Sequence, residues 1–171
     1  MMSLKTQRLC LRPFLETDLQ NLIDLDTDPE VMRFIGVGKV SSLEETNELL
    51  VKILKRQAGF TTYGTWMANL ISGENIGWFT LKPNLGLNGD FELGYRLKQK
   101  FWGQGFATEG SMFLVQYGFE VLKVKKIVAV TDPENKGSQH VLKKCGLIDK
   151  GLIPSPFAVE HPKCTFYERL T

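Results

Sequence analysis

Gly103 and Gly105 are separated by one residue. They directly precede a strongly helical stretch and follow an alternating strand pattern. The string that contains them runs Phe101-Trp-Gly-Gln-Gly-Phe-Ala-Thr-Glu-Gly110. Backbone amides at a helix start, left uncovered by glycine, form a binding site for an anion. The spacing therefore predicts an anion-binding loop whose amides belong to Gly103, Gln104, Gly105, Phe106, Ala107 and Thr108.

Two common phosphate-binding motifs fit this loop poorly. A P-loop is excluded because no Gly-Lys-Ser/Thr follows the glycines. A dinucleotide fingerprint requires G-x-G-x-x-G near the front of a βαβ unit, whereas Thr108 occupies the third glycine position and about 100 residues come first.

Glu109 lies in the first turn of the predicted helix, where a negative charge suits the positive end of the helix dipole. This favours a structural role for Glu109 over a catalytic one.

The strand pattern in front of the loop, Asp90-Phe-Glu-Leu-Gly-Tyr-Arg-Leu97, has two different faces. Strict alternation places Phe91 and every second residue after it on an apolar face that suits the core. The other face carries Asp90, Glu92, Gly94 and Arg96. We therefore expect any chemistry of this strand to come from the second face.

The glycine loop resembles the pyrophosphate loop of the GNAT N-acetyltransferase superfamily, whose pattern is Arg/Gln-x-x-Gly-x-Gly/Ala. The corresponding residues here are Trp102-Gly-Gln-Gly105-Phe-Ala107, so that tryptophan replaces the basic or amide residue in the first position. A Trp-Gly-x-Gly-Tyr/Phe-Ala-Thr-Glu string is similar to the RimJ/RimL-type branch, the ribosomal-protein N-terminal acetyltransferases and their relatives. The resemblance does not identify a substrate.

Three further stretches resemble the same branch, in the same order along the chain. They are Thr6-Gln-Arg-Leu-Cys-Leu-Arg-Pro13, Glu92-Leu-Gly-Tyr95, and Asn135-Lys-Gly-Ser138 followed by Val141-Leu-Lys-Lys-Cys-Gly-Leu147. The resemblance covers nearly the whole chain. It implies an α/β GNAT fold, in which a mixed central sheet has splayed central parallel strands and flanking helices.

The activity implied by the resemblance is acetyl transfer from acetyl-CoA to a primary amine, either a protein N-terminus or a small molecule. An ammonium group is mostly protonated at neutral pH, so the attack on the thioester needs a base. Glu92 is the candidate base, because related enzymes often carry an acidic residue on this strand. The alternative is a structural carboxylate paired with Arg96, four residues further along the same face.

The resemblance also implies which backbone groups receive the acetyl-CoA. A backbone amide near Arg96 or Leu97 would stabilise the charge that develops on the carbonyl oxygen. Leu97 is the expected contact for the pantetheine arm, and the glycine-loop amides would bind the pyrophosphate. Gly94 is consistent with a bulge that starts the splay, although an ordinary strand glycine explains it nearly as well.

On the far side of the splay, Asn135 is expected to bond the pantetheine and Lys143 to approach the nucleotide phosphate. The alternatives are a turn residue for Asn135 and a solvated helix charge for Lys143. Leu142 occupies the position where many GNAT enzymes carry a tyrosine general acid. Ser138 is therefore the candidate hydroxyl for the thioester sulfur, unless it is a first-turn helix residue. Tyr167 is another candidate donor, for which core packing is the favoured alternative.

The predicted strands and helices position these candidate residues. The helix after the glycine loop is predicted over residues 107–122, mostly buried, with Met112, Val115, Phe119 and Leu122 on its apolar face. A capping box, Ser42-Leu-Glu-Glu45, predicts a helix to about Lys55 whose buried residues are Leu43, Leu50, Ile53 and Leu54.

Shorter elements complete the prediction. Thr17 or Asp18 begins a helix to residue 25, and Asp28-Pro29 begins a second short one. Asn135 precedes a helix that ends at Gly146. Strands are predicted over 9–11, 63–71, 76–81, 127–131 and 164–170, with a hairpin loop at 72–75, a turn at Asn88-Gly89 and an irregular loop at 154–162.

Composition indicates an ordinary enzyme domain. The 171 residues suffice for one core, which predicts a single domain over residues 1–171, and hydrophobic residues make up 43%. No apolar run approaches the roughly 20 residues of a membrane span, and a net charge of +2 gives no indication of nucleic-acid binding. Cys10, Cys145 and Cys164 lack metal-like spacing and suit a reducing, cytoplasmic location.

No metal site is predicted, and His140 and His161 are given no chemistry. The predicted function is an acetyl-CoA-dependent N-acetyltransferase acting by direct transfer. The alternative is a noncatalytic CoA-binding or interaction module with the same fold, because the tyrosine acid is missing. Nothing in the sequence predicts an oligomeric state.

Overall fold

The computed structural model describes residues 1–36, 38–84, 90–155 and 163–171. Within them, eight strands form one sheet and five α-helices flank it. The elements in chain order are β1 (Leu4–Lys5), β2 (Leu9–Arg12), α1 (Leu19–Asp26), α2 (Pro29–Met32), α3 (Leu43–Gly59), β3 (Gly64–Leu70), β4 (Asn75–Pro83), β5 (Phe91–Leu97), α4 (Phe106–Glu120), β6 (Lys126–Thr131), α5 (Lys136–Lys144), β7 (Ile148–Pro154) and β8 (Lys163–Leu170).

The central parallel pair of the sheet separates, as the fold prediction requires. The strand order is β1-β2-β3-β4-β5-β6-β8-β7, and every neighbouring pair is antiparallel except β5 and β6. These two strands pair only at Phe91 with Ile127 and at Glu92 with Val128. Beyond that point each strand continues without the other, so a gap opens between them. The prediction of a mixed α/β sheet with splayed central strands is confirmed.

Helix α4 lies very close to one face of the sheet, because two of its contact residues are glycines. A Cβ atom on Gly110 would lie 2.4 Å from the ring of Phe79, and one on Gly118 would lie 2.8 Å from Ile127. Phe79 and Ile127 belong to the larger apolar core, which includes the buried α4 residue Leu114. This close packing fixes the position of the α4 N-terminus relative to the strands.

The opposite face of the sheet packs against helices α1 and α3 through a second, smaller core. Its buried members are Phe14, Leu22, Leu50 and Met67, and Trp78 packs against them from β4. Trp78 is directly opposite Arg96 of β5 in the antiparallel register, and Lys82 is opposite Glu92. Since directly opposed residues share a face, the predicted polar face of β5 is the one that α1 and α3 partly cover.

Three of the predicted helix starts are confirmed by their caps; another, α1, begins after Asp18, whose side chain makes no cap bond. The Asp28 side chain accepts a hydrogen bond from the Glu30 amide, and Pro29 is the first residue of α2. Ser42 and Glu45 form the reciprocal capping box that begins α3. Asn135 caps α5 by accepting from the Ser138 amide at 2.9 Å.

Burial differs from the prediction at two helix positions. Met112 of α4 is 50% exposed and Leu43 of α3 is 62% exposed. Both predictions were wrong because an apolar residue near the edge of a helical stripe is not forced into the core. Helix α4 also begins one residue before the predicted start, and α3 continues to Gly59.

Strand β7 was not predicted. Most of β7 is exposed, with a glycine and a proline in its sequence, so it shows no apolar alternation.

Two predicted turns have different outcomes. The predicted 72–75 loop does join β3 to β4, although Asn75 already belongs to β4. The predicted turn at Asn88 and Gly89 lies outside the described residues.

Gly94 does not form a bulge. The β4–β5 register is continuous from Gly77–Leu97 to Pro83–Phe91, and Gly94 is opposite Thr80 within it. The splay therefore starts from the end of the β5–β6 pairing and not from a kink in β5. A Cβ atom on Gly94 would lie 3.0 Å from the Thr80 methyl group, so close packing against Thr80 explains the glycine.

Candidate active site

The glycine loop (residues 103–108) has the geometry that anion binding requires. Gly103 and Gly105 have φ angles of +72° and +82°, the left-handed region that other residues adopt only with strain. Gly105 is the N-cap of the 15-residue helix α4. Among the described residues, no protein acceptor takes a hydrogen bond from the loop amides, which leaves them available to a bound anion.

The turn between β1 and β2 (residues 6–8) contacts the glycine loop and the residue that follows it. The Arg8 guanidinium donates from Nη1 to the Gln104 carbonyl at 3.1 Å and from Nε to Glu109 Oε2 at 2.6 Å. It also stacks on the Phe106 ring, with Cζ 4.3 Å from the ring centroid. The Thr6 hydroxyl and the Arg8 amide both donate to Glu109 Oε1, at 2.5 and 2.8 Å. Five contacts therefore join the β1–β2 turn to this region, two to the glycine loop and three to Glu109 directly after it.

The Glu109 carboxylate is ionised in this arrangement. Burial alone would raise the pKa of Glu109, but the hydrogen bonds from Thr6 and Arg8 and the charge of Arg8 outweigh it, so its pKa lies below the ordinary value. A structural role for Glu109 was predicted from the helix dipole. The Thr6 and Arg8 partners were not predicted, although both lie in the opening motif that the family resemblance had identified.

The edge of β5 that faces the gap ends at the glycine loop. The Lys98 amide donates to the Ile76 carbonyl on the β4 side. Because successive amides of a strand point in opposite directions, the Leu97 amide faces the gap and the Arg96 amide faces β4. Of the two positions predicted for the oxyanion donor, the geometry favours Leu97. Trp102 donates from Nε1 to the Leu97 carbonyl at 2.8 Å, which places its indole at the mouth of the gap.

Glu92 lies where β5 and β6 begin to separate, on the face that α1 and α3 partly cover. It accepts a hydrogen bond from Asn84 Nδ2 at 2.7 Å. Burial raises the pKa of Glu92, and the opposing effects of Asn84 and of the Lys82 charge are smaller. A raised pKa brings a carboxylate closer to the working range of a general base. The alternative prediction, a pair with Arg96, was wrong.

Arg96 is instead the centre of a buried ion pair with Asp26, the last residue of α1. The carboxylate of Asp26 also accepts from the Thr46 hydroxyl at 3.3 Å, and the Arg96 guanidinium lies 5.2 Å from the Trp78 ring centroid. Burial lowers the pKa of Arg96, and the Asp26 charge opposes that effect. The Arg96 side chain therefore connects β5 to helices α1 and α3 and lies on the opposite face from α4.

Helix α5 brings Ser138, a residue of its first turn, close to Tyr95 of β5. Burial raises the pKa of Tyr95 to about 12, and the neighbouring Ser138 opposes the shift. Tyr95 was predicted only as a core residue. Leu142, which replaces the family tyrosine, is buried, and Lys143 is exposed in the last turn of α5.

The remaining candidate side chains are structural. Tyr167 is fully buried, and its hydroxyl donates to Asp149 at 3.2 Å, which agrees with the favoured core role. Cys145 is buried, and burial raises its pKa to about 11. In the described part of the chain, no group of three or more acidic, histidine or cysteine side chains could hold a metal ion. None of the described helices is long and apolar enough to cross a membrane.

Comparison with known proteins identifies the family. A family model described as an acetyltransferase (GNAT) domain matches residues 8–148. The FsC-acetyl coenzyme A-N(2)-transacetylase of Aspergillus fumigatus is 32% identical over 152 residues, which cover 85% of this chain and 64% of that relative. The chain thus spans less than two thirds of this relative. The spermidine N(1)-acetyltransferase of Escherichia coli is 25% identical over 149 residues, which cover 87% and 77%.

Solved structures support the same assignment at the level of the fold. An acetyltransferase of the GNAT family from Bacillus anthracis superposes with a TM-score of 0.83 at 24% identity, covering 99% of this chain and 98% of the other. RimL, a ribosomal L7/L12 alpha-N-protein acetyltransferase in complex with coenzyme A, gives 0.80 at 17% identity, with coverage of 99% and 98%. The prediction of an acetyltransferase enzyme is confirmed by the named relatives. The chain belongs to the GNAT acetyltransferase family.

Proposed function

We propose that this chain transfers the acetyl group of acetyl-CoA directly to a primary amine. The observation that carries the proposal is the gap between β5 and β6. It opens immediately after Glu92, its β5 edge presents the Leu97 amide, and it ends at the glycine loop. A candidate base, a candidate oxyanion donor and an anion site therefore lie along one strand and the loop that follows it.

The residues present fit the cosubstrate. Amides of the glycine loop at the N-terminus of α4 suit a pyrophosphate, and glycine at positions 103 and 105 permits close approach. The gap edge at Leu97 suits the amide groups of a pantetheine arm. The side-chain oxygen of Asn135 caps α5, which leaves the side-chain amide nitrogen of Asn135 for the pantetheine. Lys143 remains our proposal for the nucleotide phosphate. RimL, a protein of the same fold, was solved with coenzyme A.

In a direct transfer, the Glu92 carboxylate, the Leu97 amide and the Ser138 hydroxyl each have a separate task. The carboxylate of Glu92 accepts a proton from the ammonium, directly or through water, so that the free amine can attack the thioester carbonyl. The Leu97 amide donates to the oxygen on which negative charge develops. As the carbon–nitrogen bond forms, the carbon–sulfur bond breaks. The Ser138 hydroxyl, in the first turn of α5, is our candidate to pass a proton to the departing thiolate. The proton that the nitrogen loses as the amide forms then replaces the one that Ser138 gives up.

The acceptor is proposed only as a primary amine, either a protein N-terminus or a small molecule. Named relatives act on different amines: one is a spermidine acetyltransferase and another a ribosomal-protein acetyltransferase. Membership of the RimJ/RimL-type branch remains our proposal, supported by the Trp102-Gly-Gln-Gly105 string and the opening motif. We expect no nucleic-acid or membrane partner, in keeping with the low net charge.

We further propose that residues 1–171 act as a single domain in a reducing, cytoplasmic environment. One sheet includes strands from both ends of the sequence, which supports a single folding unit. All three cysteines are free, which suits a compartment where thiols stay reduced.

Calorimetric titration with acetyl-CoA tests the first step of the proposed function. Binding to the wild-type chain is expected, and Gly105→Glu should weaken it by more than about 100-fold, because the new side chain adds backbone strain and a negative charge to the anion site. Gly59→Glu is the matched control, since it adds the same side chain at the exposed end of α3, where φ is not left-handed and a Cβ atom meets nothing within 4 Å. Absence of binding by the wild-type chain would refute the proposal.

Release of free thiol in the presence of an amine panel tests the second step. The panel should pair peptides that have a free N-terminus with small amines, and each should be compared with its N-acetylated form. Amine-dependent thiol release is expected for at least one class. Acetyl-CoA binding without turnover over the whole panel would support the noncatalytic module instead.

A further inference from the structure

An ionised carboxylate lies beside the proposed pyrophosphate site. Glu109 is in the first turn of α4, and its amide is bonded to the Gly105 carbonyl at 2.9 Å. A diphosphate bound to the glycine-loop amides would therefore share the first turn of α4 with this carboxylate. At an effective dielectric constant near 20, two unit charges roughly 8 Å apart repel each other enough to weaken binding about 30-fold.

Arg8 neutralises this carboxylate at the place where the repulsion would arise. Its guanidinium is 2.6 Å from Glu109 Oε2, and the side chain of Glu109 is only 17% exposed. The same guanidinium donates to the Gln104 carbonyl and lies over the Phe106 ring, so it touches the loop itself. A Cβ atom on Gly105 would lie 3.4 Å from Arg8 Nη2, which places a positive charge against the loop backbone.

The partners of Glu109 also include a neutral donor. The Thr6 hydroxyl donates to Glu109 Oε1, and it accepts in turn from the Leu9 amide at 3.0 Å. This bond keeps the carboxylate in one orientation, and a glutamine at position 109 could accept the same bond. The charge of Arg8 and the hydrogen bonding of the pair can therefore be separated by substitution.

We propose that Arg8 is a positioning residue for the diphosphate of acetyl-CoA, since it holds the glycine loop and cancels the charge of Glu109 beside the anion site. This inference rests on the proposed function, because it presupposes a CoA thioester at the loop. Arg8 acts through Glu109 and the loop backbone. Its contribution is therefore specific to ligands that carry the diphosphate.

The test compares Arg8→Met, Glu109→Gln and the double variant by CoA titration. Arg8→Met should weaken CoA binding about 10- to 100-fold, because it leaves the Glu109 charge uncompensated. Glu109→Gln should strengthen binding about threefold, because the Arg8 charge is then available to the phosphates. The double variant should recover most of the affinity that Arg8→Met loses.

A purely structural pair gives the opposite pattern, which would overturn the proposal. In that case both single variants weaken CoA binding to a similar extent, and the double variant recovers nothing. Arg33→Met is the matched control, since it removes an exposed arginine from an ion pair with Glu30 on α2. Its CoA affinity should equal that of the wild type. Should Arg8→Met fail to fold, the sign of the Glu109→Gln effect alone decides between the two.

A truncated thioester supplies a readout that a structural role would not move. Arg8→Met should lower kcat/KM for acetyl-CoA about 10-fold or more relative to kcat/KM for S-acetylpantetheine, which lacks the diphosphate. An equal loss for both thioesters would contradict the proposal. If the wild type binds no CoA, the proposed function fails; if it binds CoA and the variants leave affinity unchanged, only this inference fails.

Discussion

The two faces of strand β5 are built in different ways. Toward α4 the strand presents apolar residues, and the site on that side consists of backbone amides from a short stretch of sequence that follows the strand. Toward α1 and α3 it presents Glu92 and Arg96, whose partners Asn84 and Asp26 come from separate segments of the chain. One side can thus be inferred from a local motif, whereas the other depends on side chains that only the fold brings together.

This difference implies that the two sides respond differently to mutation. Side chains on the α1 and α3 face should control turnover and stability without affecting CoA binding. Substitutions in the glycine loop should affect CoA binding first. The following predictions test that separation, beginning with the largest expected effect.

Glu92→Gln should reduce kcat by about 10²- to 10⁴-fold, the range expected when a general base is lost. Affinity for acetyl-CoA should stay within about twofold of the wild type, since the glycine loop is unchanged. Stopped assays of thiol release and calorimetric titration measure the two quantities. Asp90→Asn, which removes the neighbouring carboxylate paired with Lys126, is the control. A kcat within about threefold of the wild type would rule out Glu92 as the base.

Asp26→Asn should destabilise the fold by about 3–5 kcal/mol, because it leaves the buried Arg96 guanidinium without its counter-charge. The free energy of unfolding can be measured by urea titration. Asp24→Asn is a matched control two residues earlier in α1, where the ion pair with Lys98 is more exposed; its cost should be under about 1 kcal/mol. Equal costs for the two variants would contradict the central role given to the Asp26–Arg96 pair.

Lys82→Met should move the acid limb of the pH–rate profile to higher pH. Burial raises the pKa of Glu92 and the Lys82 charge lowers it, so removal of that charge should raise the pKa further. Since Glu92 must be ionised to accept a proton, a higher pH is then needed for full activity. Lys100→Met, which removes an exposed lysine paired with Glu74, should leave the profile in place. A shift to lower pH would contradict the assignment of Glu92.

The same pKa direction has a consequence for stability. A carboxyl group whose pKa is raised in the folded state stabilises the fold below its unfolded pKa, and that contribution is lost as the pH rises through the folded pKa. In Lys82→Met the stabilising contribution of Glu92 should persist to a higher pH than in the wild type before it is lost. Urea titrations at several pH values would show whether the Glu92 contribution follows this order.

Met112→Gln should have the smallest effect, within about 0.5 kcal/mol of stability, because this α4 residue is half exposed. Gly110→Ala, two residues earlier on the buried side, should cost about 1–3 kcal/mol, since its Cβ atom would overlap the Phe79 ring. Thermal unfolding of both variants measures the contrast. Similar costs at the two positions would contradict the close helix–sheet packing.

Sequence patterns predicted the features that depend on local chemistry. Ser42 with Glu45, Asp28 with Pro29, and the glycines of the loop each act on backbone groups within a few residues, so their spacing carries the information. The splay of the central strands came from the family resemblance. The gap itself has no pattern in the sequence.

Contacts between distant segments could not be predicted in the same way. Arg8 and Glu109 are about 100 residues apart, and Asp26 and Arg96 about 70, so each charged residue had many candidate partners. The mistaken Glu92–Arg96 pair shows the problem, because two residues on one strand face need not be in contact. Strand β7 was missed for another reason: its exposure removes the apolar alternation on which strand prediction depends.

The two outer strands of the sheet differ from the strands between them in a way that bears on self-association. Strand β1 has only two residues, and β7 has a register shift between Asp149 and Leu152 together with a terminal proline that has no amide hydrogen. Unpaired edge strands can recruit strands from other molecules, and short length, irregularity and proline each oppose that growth. Ile148 and Leu152 lie exposed on β7. The irregular β7 backbone therefore helps to keep a mostly exposed, partly apolar strand from seeding aggregates at high protein concentration.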